Sequence, residues 1–203
     1  MNSANLIWAQ LFLCQEDSVR VRHFFVREIG IDPFFITRRM HITVYHAVGP
    51  IPGVVPLSER AQVALPVSDT RFMVMVPGGE TARPGIDPGT RKIGIRVQKR
   101  SAAMSAIMEF RKRLVQHESE HVLGGLRSST RNRSAFGAPN FQPHMTVLKP
   151  GSGISSDLTP IGARFRETLG ILTFDRFAVE IVQEDSRLDN WRDALQSKWG
   201  PEK

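Results

Sequence analysis

The sequence predicts an α+β fold of two related lobes, and three observations predict it. Segments with strand-like alternation are interleaved with segments of helical spacing along the whole chain. Their order repeats. From His41 the chain reads strand, loop, short helix and a strand around Phe72, 31 residues on; from His144 it reads strand, loop, short helix and a strand around Phe174, 30 residues on. A four-residue pattern also occurs twice, as His41-Ile42-Thr43-Val44 and His144-Met145-Thr146-Val147. No linker divides the halves, so residues 1–203 read as one bilobal domain.

The elements follow in order. Leu6, Ile7, Trp8, Leu11, Phe12 and Leu13 mark a first strand from Asn5 to Leu13. Asp17 or Ser18 is placed to cap a helix reaching Ile29, with Gly30 as its end signal. Arg39 to Ala47 is the first motif strand, closed by the Gly and Pro residues at 49–53. Ser58-Glu59 reads as the opening of a short helix to Leu65. Strands follow at Arg71–Val76 and Arg91–Gln98, the second alternating Ile93, Ile95 and Val97 with polar residues. Ser101 caps a helix to about His117 or Glu120, whose Met104, Ile107, Met108, Leu114 and Val115 recur at helical spacing. After a loop rich in Gly, Ser, Arg and Asn comes the second motif strand, Phe141–Leu148. Thr159-Pro160 opens a helix that Gly170 ends, Ile171–Gln183 is a long strand or two joined, and Asp189 to Trp199 is a terminal helix.

Composition narrows the function classes. The apolar fraction of 41% is ordinary for a globular protein. Cys14 is the only cysteine, so no internal disulfide forms, which fits a reducing compartment. No apolar run approaches the ~20 residues of a membrane span, and the N-terminus lacks the basic start and apolar stretch of a signal peptide. A cytoplasmic protein with no membrane partner is the expectation. The net charge of +7 is unevenly placed: +5 over residues 1–100, +4 over 101–150 and −2 over 151–203. Between Glu120 and Asp157 there is no acidic residue, and that window holds Arg127, Arg131, Arg133, Lys149 and the second motif. A basic field around a cleft favours an anionic substrate.

In a strand, residues two apart point the same way, so each motif presents an imidazole beside a hydroxyl. Two such pairs facing one cleft can act on a phosphate. Imidazole titrates near neutrality, so one histidine takes a proton from an attacking oxygen while the other gives one to the leaving oxygen. The hydroxyls of Thr43 and Thr146 donate to the non-bridging oxygens where charge accumulates. These groups fill every role without a metal or other cofactor, and no carboxylate beside either motif completes a metal shell.

The paired motifs, about one hundred residues apart, resemble those of the two-histidine (2H) phosphoesterase superfamily, and within it the RNA 2′,3′-cyclic phosphodiesterases, also called 2′-5′ RNA ligases. The resemblance is fullest at Phe141-Gln142-Pro143-His144-Met145-Thr146-Val147-Leu148-Lys149, where the family has Phe-x-Pro-His-x-Thr-Leu and a basic residue. Phe177-Ala178-Val179-Glu180-Ile181-Val182 with Ser186 resembles the family's last strand. The chain departs from the pattern at Tyr45-His46-Ala47-Val48-Gly49 and in carrying Lys149 where Arg is commoner. The resemblance implies two pseudo-symmetric lobes of antiparallel sheet with flanking helices around a central cleft. It also implies metal-independent chemistry on cyclic or 2′-linked phosphodiesters, either of RNA ends or of small nucleotides, with 2′-5′ ligation as the reverse reaction.

The expected catalytic set is thus His41, Thr43, His144 and Thr146, with His144 as base and His41 as acid. Tyr45, on the His41 face by strand phase, is expected to stack on a base; Lys149, Arg131 and Arg133 are expected to hold phosphates; His46 points to the other face. His117-Glu118-Ser119-Glu120-His121 matches the zincin pattern but sits where a helix runs out, in polar surroundings and without a third ligand, and reads as an exposed helix end. The alternative from another class is a non-catalytic RNA- or nucleotide-binding module on the same fold.

Overall fold

The computed structural model describes residues 5–48, 54–75, 92–122, 141–154 and 157–183. The elements are β1 (Asn5–Leu13), α1 (Gln15–His23) continued by a π turn (Phe24–Glu28), a 3₁₀ turn (Pro33–Phe35), β2 (His41–Val48), β3 (Leu57–Pro66), β4 (Thr70–Met75), β5 (Lys92–Val97), α2 (Ala102–Val122), β6 (His144–Leu148), α3 (Thr159–Thr168) and β7 (Ile171–Gln183). The chain is α+β. Among the described residues its strands form one seven-stranded antiparallel sheet, in the order β3-β7-β1-β2-β6-β5-β4.

Local chemistry sets the ends of the helices. Cys14, not Asp17 or Ser18, caps α1, its Sγ accepting from the Asp17 amide. Asp17 is instead buried, accepting from Arg20 and from the Thr173 amide, which ties α1 to β7. The π turn carries both Phe24 and Phe25 into the core, and Gly30 ends it at φ +79°, a conformation open to glycine. Ser101 caps α2 as expected, accepting from the Ala103 amide and donating to Asp69.

One segment forms an element of the other type. Leu57–Pro66 is strand β3, not a helix: Ala61, Val63 and Leu65 are buried at a period of two, and the segment pairs with β7. The first motif strand therefore leads to β4 through a strand, whereas β6 leads to β7 through helix α3. The strand–helix–strand echo from the two motifs is not matched element for element.

The sheet has two unlike faces. Ile7, Ala9, Leu11, Ile42, Ile95, Met145, Phe177 and Val179 belong to one buried apolar cluster. The helices cover that face. Phe110 of α2 lies 4.7 Å from Phe177, and Phe165 of α3 packs 5.0 Å from Phe24 and 5.1 Å from Phe72, edge to face. The other face holds Trp8, Gln10 and Phe12 of β1, the alternate residues. It is this face that carries the polar residues of both motifs. Among the described residues no helix is long and apolar enough to cross a membrane.

Candidate active site

The two motif strands are neighbours at the centre of the sheet. Their antiparallel register pairs Ile42 with Met145, both at the core. Extended one residue each way, the register sets His41 across from Thr146 and Thr43 across from His144. All four side chains share the face opposite the core. His41 and His144 are diagonal neighbours, a spacing of about 7–8 Å between backbones in such a pair, which leaves room for a phosphate between the rings.

The registers of the other strands extend this centre into two rows. In the first, Arg60, Arg176, Phe12 and His41 lie side by side on β3, β7, β1 and β2, and Thr146, Gly94 and Met73 continue it on β6, β5 and β4. In the second, Ala178, Gln10 and Thr43 lead to His144, Arg96 and Arg71. Residues directly opposite in an antiparallel sheet share a face, so each row lies on the motif face.

Both imidazoles are held in the same way. Nδ1 of His41 lies 2.9 Å from the Arg39 carbonyl oxygen, and Nδ1 of His144 lies 2.8 Å from that of Gln142. A carbonyl only accepts, so Nδ1 carries the proton and Nε2 of the neutral ring is the basic nitrogen. Burial lowers His41 from 6.5 to about 4, aided by the positive charge of Arg39, His144 and Lys92 and opposed by the Arg39 carbonyl. Burial also lowers His144, with Arg96 adding to the effect and the Gln142 carbonyl opposing it. Both rings are neutral at pH 7 while nothing negative lies between them.

This burial predicts a pH dependence of stability. Above pH 6.5 the His41 ring is neutral whether the chain is folded or not. As pH falls, the unfolded chain takes up a proton that the folded chain refuses until about 4, so stability drops between those values. The full shift corresponds to about 3 kcal/mol, and because the ring keeps a partly exposed edge the expected loss is about 2 kcal/mol. Denaturant midpoints at pH 7 and pH 4.5 should converge in His41→Asn relative to wild type. Equal pH dependence in the two proteins would contradict it.

Other groups on this face escape a reading of the sequence. Thr146 Oγ1 donates to the Met75 Sδ at 3.3 Å, a contact open to Met75 because Gly94 has no side chain; a Cβ there would lie 2.6 Å from that sulfur. Gln10 is 4% exposed, and neither its Oε1 nor Oε2 of Glu180 accepts a hydrogen bond among the described residues. Phe12 lies 5.8 Å from the His41 ring and carries the guanidinium groups of Arg176 at 4.2 Å and Arg39 at 4.9 Å. Beside it opens a cavity of about 1060 Å³, lined in part by Phe12, Arg38, Arg39, Arg60, Asp175 and Arg176. Neither histidine lines that cavity; it adjoins their row through Phe12.

Two expected binding residues are elsewhere. Tyr45 is 3% exposed and belongs to the core cluster. The β1–β2 register passes from Gln10–Thr43 to Ala9–Tyr45, so Val44 is an extra, bulged residue that turns Tyr45 to the core face. Buried Arg111 of α2 donates to the Val44 carbonyl at 2.9 Å, which anchors the bulge. Lys149 donates to the Phe34 carbonyl at 3.0 Å and lies over the Phe34 ring, which commits its ammonium to the 3₁₀ turn, not to the histidines. Arg127, Arg131, Arg133, Ser186 and the terminal helix at Asp189–Trp199 lie outside the described residues, as do the side chains of His46, His117 and His121.

No protein-family model matches the chain, and no curated protein matches it either.

Proposed function

We propose that the chain is a metal-independent phosphodiesterase of the two-histidine type, acting on 2′,3′-cyclic phosphate RNA ends or on 2′-5′-linked or cyclic nucleotides. The observation that carries this reading is the Ile42–Met145 pairing, which sets each motif histidine across from the threonine of the other motif on one sheet face. The strand order gives further support. On one side of the centre β1, α1 and β2 follow one another in the chain, and on the other β5, α2 and β6 do, with β1 beside β2 and β5 beside β6 in the sheet. Two pseudo-symmetric lobes meeting between β2 and β6 would give this succession.

The residues divide the chemistry as follows. His41, the more strongly surrounded by positive charge, is the neutral base, and its Nε2 takes the proton of the attacking water. The oxygen of that water bonds to phosphorus as the bond to the ribose 3′-oxygen breaks. His144, protonated once the phosphate charge lies beside it, gives its Nε2 proton to that oxygen, leaving a 2′-phosphate. This reverses the assignment expected from sequence. Thr43 and Thr146 donate to the non-bridging oxygens, and Thr146 releases Met75 to do so. With a 5′-hydroxyl in place of water the same steps join two strands 2′-5′, and run backwards they cleave such a linkage to a 2′,3′-cyclic phosphate and a 5′-hydroxyl.

The test is incubation with a panel of 2′,3′-cyclic nucleotides, cyclic-phosphate-ended oligonucleotides and 2′-5′-linked dinucleotides in EDTA, with products identified by mass. Turnover in EDTA to 2′-phosphates is expected. Loss in EDTA restored by zinc would point to the His117/His121 pattern, and tight RNA binding without turnover of any substrate would point to a binding module.

A further inference from the structure

The two rows end in arginine pairs that the proposed chemistry does not use. On the His41 side Arg60 of β3 lies directly across from Arg176 of β7; on the His144 side Arg71 of β4 lies directly across from Arg96 of β5. Like charges directly opposite in an antiparallel pair destabilise a sheet. Among the described residues none of the four forms an ion pair. Two self-repelling pairs, one on each arm of the same face, are a cost to the fold that a bound polyanion would offset.

Resting on the phosphodiesterase reading, we propose that single-stranded RNA lies across the strands of this face, with flanking phosphates held by Arg60 and Arg176 on one side of the scissile phosphate and by Arg71 and Arg96 on the other. Six inter-strand steps from β3 to β4 span about 29 Å, which accommodates several nucleotides. The arm toward Arg60 has the added depth of the cavity of about 1060 Å³. Its acidic residues are Asp175 and Glu59, and Glu59 is paired with Arg113, so Arg60 and Arg176 face a single carboxylate there. Phe12, buried at the junction with His41, holds the guanidinium groups of Arg39 and Arg176 over its ring and so fixes two cations beside the reacting phosphate. Basic arms on both sides fit a substrate that continues past the reacting phosphate in both directions. The preferred substrate is then an internal 2′-5′ linkage of an oligonucleotide, ahead of a mononucleotide.

The experiment is fluorescence anisotropy with a labelled single-stranded RNA 10-mer that carries one central 2′-5′ linkage, and three variants: Arg60→Ala/Arg176→Ala, Arg71→Ala/Arg96→Ala, and Arg164→Ala. Arg164 is on α3, paired with Glu28, and serves as a charge control. Each double variant should weaken binding at least tenfold at low salt and lower the slope of log K against log salt by about 1.4, two phosphate contacts on a single strand. Arg164→Ala should bind as wild type. Binding within twofold of wild type in either double variant, or an equal loss in Arg164→Ala, would overturn the proposal. Turnover measured in parallel separates the two readings. RNA held by both arms but never cleaved would sink the phosphodiesterase reading alone, whereas cleavage with neither arm affecting affinity would sink the two-arm site alone.

Discussion

His41→Ala and His144→Ala are each expected to lower kcat by ~10²-fold or more, because each removes a positioned proton acceptor or donor. Thr43→Ala and Thr146→Ala are expected to cost less, about 1.5–3 kcal/mol of transition-state stabilisation, the worth of a hydrogen bond to a charged group. The double histidine variant should lose little more than the worse single variant, since groups acting as a unit are not additive. Stability at pH 7 should change by less than about 1 kcal/mol, because the motif face is opposite the helix-packed core. Steady-state kinetics on the best substrate of the panel, with denaturant melts of the same samples, checks both halves. A histidine variant that keeps wild-type kcat would remove that residue from the mechanism.

Phe165→Ala is expected to have the opposite profile. Phe165 is fully buried, with Phe24, Phe25 and Phe72 around it at 5.0, 6.3 and 5.1 Å. It joins α3, the π turn after α1 and β4. Removal of a ring from such a site costs about 3–5 kcal/mol, part lost burial and part unfilled cavity. That is a large fraction of a typical domain's stability. Because the ring lies on the helix-covered side of the sheet, kcat per folded molecule should stay near wild type. Denaturant midpoints and active-site titration distinguish the two effects. A loss of kcat with unchanged stability would mean that the two faces are coupled more tightly than their packing implies.

Most of the fold was legible where the hydrophobic period was unambiguous. Ile93, Ile95 and Val97 gave β5, Ser101 gave the start of α2, and Gly30 gave the end of the first helical segment. Ser58-Glu59 misled because a polar pair before apolar residues looks like a helix start, while the period of two at Ala61, Val63 and Leu65 is the stronger signal. Within the site, strand alternation was enough for His41 with Thr43 and His144 with Thr146. It failed one residue later: a bulge at Val44 inverts the phase of everything beyond it, and no local feature of Thr43-Val44-Tyr45 announces that. Gln10, Arg96 and the two arginine pairs were invisible for a different reason. Each joins the site only through the order and register of strands distant in sequence.

The two-histidine mechanism requires both imidazoles to meet one phosphate, and an NMR titration of the two rings reads that directly. Long-range ¹H–¹⁵N spectra of the histidine side chains, recorded against pH with and without a nucleoside 2′-monophosphate, report the pKa and tautomer of each. In the free protein both should titrate below 6.5, His41 near 4, with the proton of the neutral ring on Nδ1. With the nucleotide bound, both should rise, as a negative charge placed between them requires. Both values unmoved by saturating nucleotide, or only one ring responding, would contradict a shared phosphate site and with it the two-histidine mechanism.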